Sequence, residues 1–168
     1  GAPAILLERG LRQGCPLSPI LFDIFINDLY GRQDMIKEKL GVMVPGVDVG
    51  KVGKTPGLLF ADDLVALSGN YVGAQQQANI ISDWCRKWEM KIGIKKCGIM
   101  CVKAGDPMAD MAQRRLKLNS VWMGGETVPV VEEYVYLGLK IRRDLDMEVM
   151  VTGRIEKAEK GLAAMRPF

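Results

Sequence analysis

Leu58-Leu59-Phe60-Ala61-Asp62-Asp63-Leu64-Val65-Ala66-Leu67 seats two adjacent carboxylates inside an otherwise apolar run. Charged groups are costly in apolar surroundings unless they reach water, a partner or a cation. Two short apolar arms around an Asp pair therefore predict a hairpin with the acids at or near its tip. Asp also serves ordinary tight turns through local hydrogen bonds. On this segment alone the plain acidic turn is the stronger reading.

Upstream lies Arg9-Gly10-Leu11-Arg12-Gln13-Gly14-Cys15-Pro16-Leu17-Ser18-Pro19, a basic loop punctuated by glycine. Ser18 suits an N-cap with Pro19 at the first helical position. Ile20, Leu21, Ile24, Phe25 and Leu29 then recur at helical spacing and predict one buried stripe, ending near Gly31. A loop carrying Arg and Gln on an anchored helix can follow a nucleic-acid backbone or a nucleotide. Without the acidic hairpin it would be a plain helix entry.

A length of 168 residues suits one domain with a real core. Hydrophobic residues at 48% and charged residues at 26% describe a globular chain rather than a disordered tail. A net charge of +3 permits nucleic-acid contact without demanding it. Cys15, Cys85, Cys97 and Cys101 lack the paired spacing of a zinc site, and the chain has no His to complete one. Reduced thiols in an intracellular setting are expected. The apolar runs are broken by Asp23 and by the Asp pair, so neither a membrane span nor a signal peptide is expected. The chain opens at Gly1 with its first motif close behind, and it is expected to be a piece of a longer protein.

Farther along, Gly41 to Val47 predicts a short strand within a loop-rich stretch reaching Gly57. Val72 to Met90 predicts a helix with Ala74, Ala78, Ile81, Cys85 and Trp88 inward and Gln75, Gln76, Arg86 and Lys87 outward. Ile92 to Val102 is expected as a strand with Cys97 and Cys101 on one face. A loop is expected from Lys103 to Asp110, then a hairpin from Leu116 to Ile141 turning at Gly124-Gly125. Val151, Ile155, Ala158, Leu162 and Met165 mark a last amphipathic helix exposing Arg154, Lys157 and Lys160. Helices on one face of an antiparallel sheet give an α+β class.

The basic loop followed by Phe60-Ala61-Asp62-Asp63 resembles the reverse transcriptases of non-LTR (LINE-type) retrotransposons. Further matches follow in family order: Trp88 leading to Gly93-Ile94-Lys95-Lys96-Cys97-Gly98-Ile99-Met100, then Tyr134-Val135-Tyr136-Leu137-Gly138, then Arg154-Ile155-Glu156-Lys157-Ala158. The resemblance covers nearly the whole chain. It implies an antiparallel palm sheet, partial over residues 1–143, with the thumb beginning at 144–168. It also implies RNA-directed DNA synthesis through two Mg2+ (or Mn2+) ions. Asp62 would be a catalytic metal ligand and Asp63 a supporting or weaker one. Arg12, Gln13 and Gly14 would lie by the incoming nucleotide and template base. Lys96 would give a proton to the leaving pyrophosphate, or else be a solvated lysine. Tyr136, Leu137 and Gly138 would grip the primer, or form a core strand with a glycine bulge. Gly93 stands where the family often has Asn, which puts the local geometry there in question.

The implied partners are an RNA template, a DNA primer, deoxynucleoside triphosphates, and an N-terminal segment holding the fingers and the family's first catalytic Asp. Asp23 and Asp28 are not expected to replace that residue. Without it the isolated chain is expected to be inactive. A nuclear location follows from the resemblance alone. Two rivals stay open, a non-catalytic RNA-binding or assembly scaffold and a group II intron-type maturase, whose acidic motif usually has Tyr at the place of Phe60.

Overall fold

Strand β1 (Gly57–Phe60) and strand β2 (Asp63–Ala66) close on each other through two residues only, Ala61 and Asp62. The pairing is antiparallel and runs from Gly57↔Ala66 at the base to Phe60↔Asp63 at the tip. So short a turn needs a residue with positive φ to match the strand twist, and Ala61 supplies it at 50°. Below the base, Leu67 donates to the Pro56 carbonyl at 2.8 Å, and Val42 and Thr55 exchange backbone bonds of 3.0 and 2.8 Å.

A computed structural model provides these coordinates, and it describes residues 10–11, 14–31, 40–44, 54–103 and 105–164, without the side chains of Tyr30, Met147 and Met150. The chain divides into two units, Gly1–Leu67 and Ser68–Phe168. The strand expected at Gly41 to Val47 reduces to the Val42↔Thr55 bridge, and Pro45 to Val47 lie outside the described residues.

Helix α1 (Ser18–Gly31) begins one residue earlier than expected. Leu21 donates to the Leu17 carbonyl at 3.0 Å, which puts Leu17 at the cap and Pro19 at the second helical position. The buried stripe is also rotated. Ile26 and Leu29 are buried and Phe22 and Phe25 partly so, whereas Ile20, Leu21 and Ile24 are mostly exposed. Residues 22, 25, 26 and 29 satisfy helical spacing as well as the expected set does, so spacing alone does not choose between them.

In the second unit α2 (Tyr71–Lys87) is capped by Asn70, whose side chain accepts from the Gly73 amide at 2.8 Å. It ends at a left-handed Glu89, φ 53°. Glu89 donates to Arg86 and Met90 to Cys85, the paired bonds of a Schellman motif. This stop turns Trp88 out of the expected stripe: Trp84 is 1% exposed and Trp88 43%. Ala78 and Ile81 are buried as expected, joined by Gln77.

The strand expected from Ile92 to Val102 is replaced by a 3₁₀ turn over Ile94–Lys96 and a single parallel bridge, Ile99↔Val130. Gly98 sits beneath Val131 and Tyr134, which leave only 3.0 Å for any Cβ. Cys97 and Cys101 still turn to one side, packing with Ala74, Ile99, Met123 and Val130 around a core of Ala78, Leu116, Val121 and Val128.

The loop expected from Lys103 to Asp110 stops at Asp106, which caps α3 (Pro107–Leu118) by accepting from Met108 at 2.8 Å and Ala109 at 3.2 Å. Pro107 then occupies the first helical position. Leu116 is therefore a buried helix residue, and the expected long hairpin resolves into two short ones. Strands β3 (Trp122–Met123) and β4 (Glu126–Thr127) turn at Gly124-Gly125 as expected. Strands β5 (Glu133–Tyr136) and β6 (Leu139–Arg142) turn at Leu137-Gly138, with φ of 48° and 76°. The last helix, α4 (Met147–Ala164), packs on β6. Its expected stripe does not bury: Val151, Ile155 and Leu162 are more than half exposed, and Met165 lies outside the described residues. The class is α+β with antiparallel pairing, and the described strands pair hairpin by hairpin.

A polar clamp ties α3 to the hairpins. Arg143, 12% exposed, donates to the Cys101 carbonyl at 2.8 Å, Glu132 at 3.0 Å and Asp110 at 2.8 Å. Lys117 reaches the other Glu132 oxygen at 2.7 Å. Hydrogen bonds from Lys117 and then Arg143 hold the Glu132 carboxyl down at about 2.

Replacing Trp84 with alanine should cost about 3 to 5 kcal/mol in urea unfolding, against less than about 1 kcal/mol for Trp88→Ala. A group whose folded pKa is depressed stabilises above its unfolded value and loses that contribution as pH falls through the folded one. The stability gap between the parent chain and Glu132→Gln should thus be full above the ordinary value of 4.5 and vanish toward about 2. Urea midpoints taken across that range check it, and a gap that does not depend on pH contradicts the clamp.

Candidate active site

Asp62 is the second residue of the β1–β2 turn and Asp63 opens β2 opposite Phe60. Both are exposed. Neither carboxylate has a hydrogen bond or ion pair with another described residue. Hard divalent cations prefer such oxygen donors and share them with phosphate and water, so the pair fits part of a magnesium site. No group of three or more His, Cys, Asp or Glu gathers to hold a metal among the described residues. Among the described residues the pair is therefore an incomplete donor set.

Helix α1 stands beside this hairpin. Pro19, Phe22, Asp23, Ile26 and Asn27 face Leu59, Phe60 and Ala61 across a cleft of about 470 Å³. The loop leading to α1 carries Gly14 at φ 83°, a left-handed conformation that favours glycine, with open space around it. Arg12 and Gln13 lie outside the described residues. Within the same loop, the Leu17 amide and the Ser18 hydroxyl pull the Cys15 thiol below its usual value. Sequence reasoning gave Cys15 no role, and its place ahead of a helix start was the available signal.

The other site residues belong to the second unit. Lys96 ends the 3₁₀ turn with its side chain exposed, and its carbonyl accepts from the Tyr134 hydroxyl at 2.5 Å. Tyr134 and Tyr136 lie two apart on β5, so they share a face of that strand. Arg154 of α4 donates to the Leu137 carbonyl at 2.9 Å. In the second unit the Tyr134 hydroxyl thus ties the strand that carries Tyr136 to the Lys96 backbone, and Leu137 and Gly138 form the turn after it. The first brings α1 to the acidic hairpin. Tyr134 and Arg154, which make the connections, fell inside matched motifs without being assigned a role; the alternation Tyr134-Val135-Tyr136 was the readable sign of the first.

Residues 4–141 match the family described as reverse transcriptase (RNA-dependent DNA polymerase). The chain is 29% identical over 136 residues to the Retrovirus-related Pol polyprotein from type-2 retrotransposable element R2DM of Drosophila melanogaster, covering 78% of this chain and 12% of that protein. It is 32% identical over 102 residues to the Retrovirus-related Pol polyprotein from type-1 retrotransposable element R2 of Popillia japonica, covering 60% of this chain and 13% of that one. The chain thus spans about an eighth of the length of the curated relatives it matches. No solved structure matches it. The acidic hairpin, the glycine loop with its helix, and a family match over most of the residues lead to one assignment: this chain belongs to the reverse transcriptase family.

Proposed function

We propose that this chain is the C-terminal part of a reverse transcriptase palm over residues 1–143, followed by the start of its thumb at 144–168, in a nuclear protein that copies RNA into DNA. The observation that carries this reading is the exposed Asp pair at a two-residue hairpin tip, free of partners among the described residues. Polymerisation joins a primer 3′-hydroxyl to the α-phosphate of a deoxynucleoside triphosphate, and negative charge builds on the attacking and departing oxygens. Magnesium or manganese, when bound, supplies Lewis-acid stabilisation of that charge.

Asp62 would be the main carboxylate to hold the metal, with Asp63 supporting it. Arg12, Gln13 and Gly14 flank the incoming nucleotide and template base, where a glycine allows close backbone approach and an amide donates hydrogen bonds. Lys96 delivers a proton to the departing pyrophosphate. Tyr136, Leu137 and Gly138 hold the primer end. The family resemblance assigns a further carboxylate, together with the fingers, to another segment of a longer polypeptide.

Primer extension on an RNA template tests this in the complete polypeptide carrying the chain. Asp62→Ala should lower the rate at least about a thousandfold, equivalent to about 4 kcal/mol of transition-state stabilisation. The isolated chain should incorporate nothing, and Asp62-dependent synthesis by it would overturn the need for a further carboxylate. Full activity of Asp62→Ala in the complete polypeptide would leave the scaffold reading in place instead.

Lys157 and Lys160 are exposed on α4, the proposed thumb start. If they meet duplex phosphates, Lys157→Ala with Lys160→Ala should flatten the plot of log affinity against log salt by about one to two units. An unchanged slope in a titration of primer-template binding places that face in solvent.

A further inference from the structure

The Leu137 carbonyl is left over by the hairpin that it closes. Across a two-residue turn the ladder uses Tyr136 and Leu139, which face each other in register, and the carbonyl of the first turn residue plays no part in it. Backbone acceptors of this kind need water or a side chain. Arg154 provides the side chain, with Nη2 at 2.9 Å from the oxygen. The same nitrogen lies 3.8 Å from where a Cβ would stand on Gly138, so the guanidinium covers both turn residues. A bond from an ionised donor is stronger than a neutral one.

The rest of the hairpin is anchored elsewhere. Tyr134 binds the Lys96 carbonyl, Lys140 pairs with Glu133 across the strands at 2.9 Å, and Arg143 binds Glu132 at the base. Arg154 is the tether at the tip. It rises from α4, which packs on β6.

We infer that Arg154 is a positioning residue for the primer terminus: it fixes the Leu137-Gly138 turn and so couples the placement of the primer end to the position of α4. This rests on the reading of Tyr136, Leu137 and Gly138 as the primer grip. Arg154 acts through a backbone carbonyl and not through a phosphate. Its loss should slow extension without weakening duplex binding.

The complete polypeptide is assayed for extension at saturating primer, for primer-template affinity across salt, and for amide hydrogen exchange at Leu137 and Gly138. Arg154→Met keeps the length and removes the donor. It should slow extension about tenfold, speed exchange at the two turn amides, and leave affinity and salt slope unchanged. Arg154→Lys keeps the charge but not the planar fork, and should lose about threefold or less. Leu137→Ala removes the exposed side chain while leaving the carbonyl, and reports on the grip itself.

A salt slope flattened by about one unit in Arg154→Met would show direct phosphate contact and overturn the inference. Undiminished extension in Arg154→Met beside a clear loss in Leu137→Ala would overturn it while sparing the grip. Undiminished extension in both would remove the grip reading and the inference with it.

Discussion

A hairpin closed by two residues forces at least one of them into the left-handed half of φ, and here the residues so placed include Ala61 at 50° and Leu137 at 48°. Each conformation costs an L-residue roughly 1 to 2 kcal/mol that a glycine would avoid. The flanking strands must hold them there, and each hairpin does so with an unbroken register of four residue pairs. A longer loop would relieve the backbone and let the tip wander. The short turn instead fixes where Asp62 and the Leu137 carbonyl stand, and residues in sparsely populated conformations tend to cluster at working sites for this reason. Both hairpins bear residues proposed for the same reaction.

The second unit shows a different economy. One buried cluster there is Ala78, Leu116, Val121 and Val128, and beside it several connections between elements are polar. The segment around Cys101 has no strand ladder, so its backbone groups find side chains. Gln113 accepts from the Cys101 amide at 2.8 Å and donates to the Val131 carbonyl at 3.0 Å. Arg143 takes the Cys101 carbonyl. Buried backbone groups must be paired somewhere, and a glutamine and an arginine here do what a neighbouring strand would have done. This accounts for a sequence with the apolar content of a strand, Ile92 to Val102, forming a 3₁₀ turn and one bridge instead.

The acidic hairpin was legible because two short apolar arms enclose an Asp pair that must reach water or a cation, and its tip lies where the pattern placed it. The turn at Gly124-Gly125 was legible for a similar local reason. Interior faces were harder to read. Nearly every second residue of α1 is apolar, so spacing admits two stripes and tertiary contact chooses between them. On α2 the choice between Trp84 and Trp88 was made by a helix stop at Glu89, a residue with no propensity for that role. Helix α3 was missed although Asp106-Pro107 is a cap followed by a first-turn proline, because Leu116 and Leu118 alternate with Arg115 and Lys117 as a strand would and were given to the hairpin expected from Leu116 to Ile141. At the site, residue types were readable and connections were not: a tyrosine hydroxyl or a guanidinium bound to a backbone carbonyl leaves no pattern in the sequence.

The two adjacent acids are not equivalent, and the register says why. Asp63 belongs to the ladder, paired with Phe60, so a change there disturbs strand pairing along with charge. Asp62 lies in the turn beyond the last pair. Its side chain carries no share of the hairpin's pairing, and its backbone position is set by Ala61 before it and Asp63 after it. A carboxylate placed past the end of a rigid ladder is held by covalent geometry rather than by protein partners, so its oxygens need not leave a salt bridge in order to meet a cation. That freedom from competing partners distinguishes Asp62 from an ordinary acid in a turn, which spends its oxygens on nearby amides.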